Sequence, residues 1–113
     1  MEIVKVSREL TPQEKFKMTK GQGTQKMKDL VDQVVEFDCY CIYNDTDVDG
    51  KPQTLQAFLT PEGETIATNS STFQRDFLEM LDFMSAEGVD VKSFKVVGGE
   101  SKAGRHFITC TLA

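Results

Sequence analysis

The residues best suited to chemistry stand near the end of the chain, where Lys102, Arg105 and Phe107 follow Gly98 and Gly99 and lead into Ile108-Thr109-Cys110-Thr111-Leu112. From Arg105 onward the pattern has a period of two. His106, Ile108, Cys110 and Leu112 share one face of a strand, and Arg105, Phe107, Thr109 and Thr111 share the other. The first set reads as the core face, which leaves a large flat ring beside a guanidinium on the more polar side. Two fates are open to that ring. Either a second layer of protein covers it, or it stays open as a surface on which an unpaired base can stack while nearby cations hold phosphates.

Other chemistry finds less support. Cys39-x-Cys41 lacks the spacing of a redox or zinc pair, and with Cys110 the cysteines are odd in number, so they read as buried structural thiols. His106, on the apolar face of its strand, reads as a packed residue. Asp45, Asp47 and Asp49 resemble part of a calcium loop, but Gly50 follows too soon and no glutamate closes it. Gly21-Gln22-Gly23 is not followed by the Gly-Lys-Ser/Thr of a nucleotide loop. No metal or cofactor is expected, and no nucleophile or base is spaced for catalysis, so a hydrolase or nuclease has no positive support.

Charge is unevenly spread along the chain. The formal net charge is −5, which argues against a polyanionic partner until the distribution is considered. Up to Lys28, seven cations (Lys5, Arg8, Lys15, Lys17, Lys20, Lys26, Lys28) face three acids; from Asp29 to Val91, two cations face fourteen acids; from Lys92 onward, four cations face one. Both ends are basic and the middle is acidic. Lys15, Lys17, Lys20, Lys26 and Lys28 are therefore candidate phosphate contacts together with Lys102 and Arg105.

A chain of 113 residues is sized for one domain, taken here as residues 1–113 with 1–12 as a loosely packed N-terminal strand or arm. No apolar run is long enough to span a bilayer, and Met1-Glu2-Ile3-Val4-Lys5 lacks a secretory layout, so a cytoplasmic protein is expected. Ile3–Ser7 reads as a strand. Glu14–Lys20 alternates Phe16, Met18 and Lys20 against Lys15, Lys17 and Thr19, and also reads as a strand, with Phe16 on a face that could be core. Val34–Asn44 is the longest β signal; a turn at Asp49-Gly50 leads to Gln53–Thr60, and Pro61–Glu64 leads to Thr65–Thr68. Then the period changes. Phe73, Phe77, Met80, Leu81 and Met84 recur at helical spacing after a Ser71-x-x-Gln74 capping box, and Gly88 is a natural stop. A closing hairpin runs from Val89 to Leu112, with a loop at Gly98–Gly104. The expected fold is mainly β with one α-helix, a small five- to six-stranded barrel of the oligonucleotide-binding kind or a topological variant of it. An open sheet packed on one helix is the other solution.

Three stretches resemble a known family, the small single-stranded DNA-binding proteins of bacteriophages, most of all those of protein-primed replicating phages. They are the glycine-rich loop leading to Gln25-Lys26-Met27-Lys28-Asp29-Leu30; Phe58-Leu59-Thr60-Pro61-Glu62-Gly63-Glu64 with Thr68-Asn69-Ser70 and the helix; and Phe94-Lys95-Val96-Val97 with Ser101-Lys102-Ala103-Gly104-Arg105-His106-Phe107. The resemblance covers most of the chain from Lys20 onward. It implies an oligonucleotide-binding fold and sequence-tolerant coating of single-stranded DNA in phage replication or recombination. It also implies a place in the host cytoplasm, as a monomer or homo-oligomer, and replication proteins such as a DNA polymerase as further partners. On that reading Phe107 stacks on bases and Tyr40, on the more polar side of its strand, is a second ring. The rival reading is an acidic protein-interaction module that does not bind nucleic acid.

Overall fold

The computed structural model describes all 113 residues. In chain order the elements are β1 (Glu2–Val6), α1 (Pro12–Lys20), β2 (Gln25–Lys26), a 3₁₀ turn (Met27–Leu30), β3 (Val34–Glu36), β4 (Cys39–Thr46), β5 (Pro52–Leu59), β6 (Thr65–Thr68), α2 (Ser71–Ala86), β7 (Ser93–Glu100) and β8 (His106–Thr111). The fold is mainly β. Its strands form a five-stranded and a three-stranded sheet rather than one closed barrel, and it has two α-helices where one was expected. Two compact units hold these elements: Met1–Lys26 with Phe37–Asn69, and Met27–Glu36 with Ser70–Ala113. No helix is long and apolar enough to cross a membrane.

In the first unit the strand order is β1-β4-β5-β6-β2, antiparallel throughout except where β2 runs parallel to β6. The N-terminal segment forms the strand β1, paired to β4 with most of its residues exposed, and Leu10 after it is buried. The centre of the sheet is buried on both faces, and Cys39 to Tyr43 are all inaccessible. Cys39, Cys41 and Tyr43 stand with Ala57 and Leu59 on the face that packs against Leu10 and Met18. Phe37, Tyr40 and Phe58 cluster with ring centroids 5.2 to 6.5 Å apart.

The segment read as a strand over Glu14–Lys20 is helix α1. Thr11 Oγ1 accepts the Glu14 N–H (3.1 Å) and Glu14 Oε1 accepts the Thr11 N–H (2.9 Å), a complete capping box, with Pro12 in the first turn where its missing N–H costs nothing. Seven residues of alternating polarity fit a strand as well as a short helix. The cap decides between them. Met18 then points into the core, while Phe16 is 66 % exposed and is not a core residue.

In the second unit β3, β7 and β8 form an antiparallel sheet in that order. Phe73 and Phe77 of α2 meet Phe94 of β7 edge-on at 5.5 and 5.7 Å, so one helical stripe and one strand residue build the aromatic core. The cap of α2 is Ser70, whose Oγ accepts the Phe73 N–H at 3.1 Å, one residue ahead of the expected box. The single strand expected over Val34–Asn44 is broken at Phe37-Asp38, with β3 in one sheet and β4 in the other. Of the expected core face of the last strand, Ile108 is buried and Cys110 half-buried. His106, at the start of β8, and Leu112, just past its end, are exposed.

Candidate nucleic-acid interface

The three-stranded sheet has two unlike faces. Val35, Phe94, Val96 and Ile108 are buried on the inner one. Register places Val34 opposite Lys95, Lys95 opposite Thr111, Val97 opposite Thr109 and Gly99 opposite Phe107, so these residues share the outer face, which Glu36 and Ser93 continue at its far end. There Val34, Lys95, Phe107 and Thr111 are exposed and Val97 and Thr109 half-exposed. The result is a patch of ring, short apolar side chains and one ammonium, bounded at Thr109 by the Asp76 carboxylate of α2.

The Phe107 ring is held in place from below. A Cβ built on Gly99 would fall within 3.0 Å of Cζ, Cε1 and Cε2 of that ring, so the far edge of the phenyl group lies across the glycine backbone of the neighbouring strand. A glycine opposite an aromatic residue on a sheet gives the ring a flat seat that a side chain would deny it. With 38 % of the residue still accessible, the ring is seated but not covered. Gly98 and Gly99 therefore belong to β7 and not to a loop. The connection is the tighter turn that follows. Ser101 N–H donates to the Arg105 carbonyl (2.8 Å), Arg105 N–H to Ser101 Oγ (3.2 Å) and Gly104 N–H to the Ser101 carbonyl (2.9 Å), with Gly104 at φ 77°. Lys102 and Arg105 stand exposed on this turn, next to the Phe107 end of the sheet. On the strand itself, the Thr109 hydroxyl donates to Asp76 of α2 and ties β8 to the helix.

The remaining expected residues divide between the units. Lys28, exposed on the 3₁₀ turn, belongs with the second unit; Lys15, Lys17, Lys20 and Lys26 belong with the first. Lys20 pairs with Asp45 at 3.1 Å, and that contact, after the Thr46 amide, holds the Asp45 carboxyl below its usual range. Tyr40 cannot stack on a base. It is 2 % exposed, because the side of β4 that reads as polar in sequence is buried in the Phe37–Tyr40–Phe58 cluster. Conversely, Lys95, Val97 and Val34 of the outer face escape a sequence reading that ends the strand at Val97. Carrying the period of two through Gly99 would have aligned Lys95 and Val97 with the glycine beneath Phe107.

Elsewhere the charged groups serve the fold. Arg8 grips Glu14 through two nitrogens (3.1 and 2.8 Å) and Asp38 through one (2.7 Å). Its guanidinium, with the Thr11 amide, pulls the Glu14 carboxyl down to about 2. Glu14, Asp38 and Cys39 place ligand-capable atoms within 4.8 Å of one another, but Arg8 already occupies the two carboxylates. Asp47 Oδ1 accepts the Asp49 and Lys51 amides (both 2.9 Å), so the acidic cluster there shapes the β4–β5 turn. Burial pushes the Cys41 thiol up to about 11 and the Cys110 thiol to about 12, the opposite of an activated nucleophile. Comparison with known protein families, with characterised proteins and with solved structures finds no match for this chain.

Proposed function

We propose that this chain is a non-enzymatic protein that binds single-stranded DNA without strong sequence preference, using the outer face of the β3-β7-β8 sheet. The observation that carries the reading is the Phe107 ring, seated on Gly99 and open to solvent, with Lys95 on the same face and Lys102 and Arg105 on the adjoining turn. Bases offer a π-face whatever their identity, so a fixed ring binds them at roughly 1–3 kcal/mol each, while lysine and arginine follow the phosphates. Val34 and Val97 supply apolar ground for sugar and base edges. The resemblance to phage single-stranded DNA-binding proteins supports the same reading, including a role in coating DNA during replication or recombination alongside a polymerase. An oligonucleotide-binding barrel is not required for it, since an open antiparallel sheet carrying rings is itself a common platform for single strands.

The test is a fluorescence-anisotropy titration of a labelled oligo(dT) with the wild type, Phe107→Ala and Phe107→Trp, run beside thermal melts. Phe107→Ala is expected to weaken binding by ~1–3 kcal/mol while remaining folded, and Phe107→Trp to bind like the wild type. Wild-type affinity in a folded Phe107→Ala would overturn the assignment of the ring. A melting temperature that collapses with affinity per folded molecule intact would make Phe107 a core residue.

A further inference from the structure

We propose that Phe16 on α1 is a second stacking residue for single-stranded DNA, in the first unit; the inference rests on the reading above and extends it to a site of its own. A helix of nine residues sets successive side chains about 100° apart. Met18, which is 2 % exposed, fixes the inward direction, and Phe16 lies nearly opposite it, on the outermost line of the helix. At 66 % exposure it is, with Phe83, one of the two most accessible rings of the chain. Single exposed apolar residues are ordinary. The surroundings of Phe16 are not. Lys15 and Lys17 flank it on either side, both exposed, and Lys20 lies one turn on along the same line. Of the carboxylates nearby, Glu14 is held by Arg8 and Asp45 by Lys20, and the Lys17 ammonium lies over Gly63, between Glu62 and Glu64 in the chain. After the helix the exposed segment Gln22–Lys26 adds another ammonium. Phe83, by contrast, lies on a helix whose nearby exposed charged residues are Glu79, Asp82 and Glu87. A ring flanked by Lys15 and Lys17, with Lys20 and its partner Asp45 one turn on, suits a polyanion with flat, unpaired bases, and a duplex, whose bases are stacked inside, would gain only the charge term.

The chain has no tryptophan, so Phe16→Trp introduces a single reporter at the site. Full-length Phe16→Trp is titrated with oligo(dT), and Phe16→Ala is compared with wild type by anisotropy and thermal melting. The expected result is quenching of the introduced indole on addition of oligo(dT), together with a loss of affinity of about 5- to 150-fold in Phe16→Ala at an unchanged melting temperature. Wild-type affinity in Phe16→Ala with an unquenched indole, while Phe107→Ala is still impaired, would overturn this inference alone. No binding of oligo(dT) by the wild type would overturn it together with the reading on which it rests.

Discussion

Gly99 matters for the side chain it does not have. Alanine there would push its methyl group to within 3.0 Å of three atoms of the Phe107 ring, and the ring, being the free end of a side chain, would yield before the strand does. Gly99→Ala is therefore expected to bind single strands nearly as poorly as Phe107→Ala while its melting temperature changes little; affinity equal to wild type would show that the seat is irrelevant. A different residue governs acid stability. Glu14 titrates at about 2 in the folded protein against an ordinary 4.5, held down chiefly by Arg8. A depressed carboxyl contributes stability that is complete above the unfolded value and disappears as pH falls through the folded one. Melting temperatures measured from pH 6 to pH 2 should fall across that interval, and Glu14→Gln should flatten part of the fall. An identical acid profile in the variant would deny the Arg8–Glu14 pair any role in stability.

Among the elements, the central strands are the most rigidly specified. Cys39 and Cys41 are wholly inaccessible between α1 and the sheet, and burial raises the Cys41 thiol to about 11. Both should resist a thiol reagent in the native protein and react fully once denatured, which a labelling time course read by mass spectrometry would check; fast native labelling would contradict the packing of that face. These strands, like α2 and β6, were legible in the sequence because apolar spacing reflects burial directly. The misreadings have physical causes. In α1, alternation over a few residues concealed a helix that Thr11, Pro12 and Glu14 announce through capping chemistry. Between β3 and β4, the sequence of Val35, Phe37 and Cys39 keeps its period of two while the chain leaves one sheet for the other, and periodicity carries no information about which sheet a strand joins. Tyr40 was misplaced because a strand buried on both faces loses the contrast that tells its sides apart. Of the candidate site, Phe107, Lys102 and Arg105 were visible as composition. The seat on Gly99 was not, because it depends on cross-strand register.

For the molecule as a whole, the acidic total of −5 and the proposed partner are reconciled by where the charge lies. The carboxylates are concentrated in the middle of the chain and several are spent on internal bonds, at Asp38, Asp45, Asp47 and Asp76, whereas Lys15, Lys17, Lys26, Lys28, Lys95, Lys102 and Arg105 are exposed. Attraction to a strand then depends on local cation clusters working against a repulsive total, and such binding is steeply dependent on ionic strength. The most direct measurement is the anisotropy titration of oligo(dT) with the wild-type protein at a series of salt concentrations. The account predicts saturable binding whose logarithm falls linearly with log salt, at a slope of about −0.7 for each phosphate neutralised. Absence of binding at the lowest salt, or binding with a slope of zero, would contradict it.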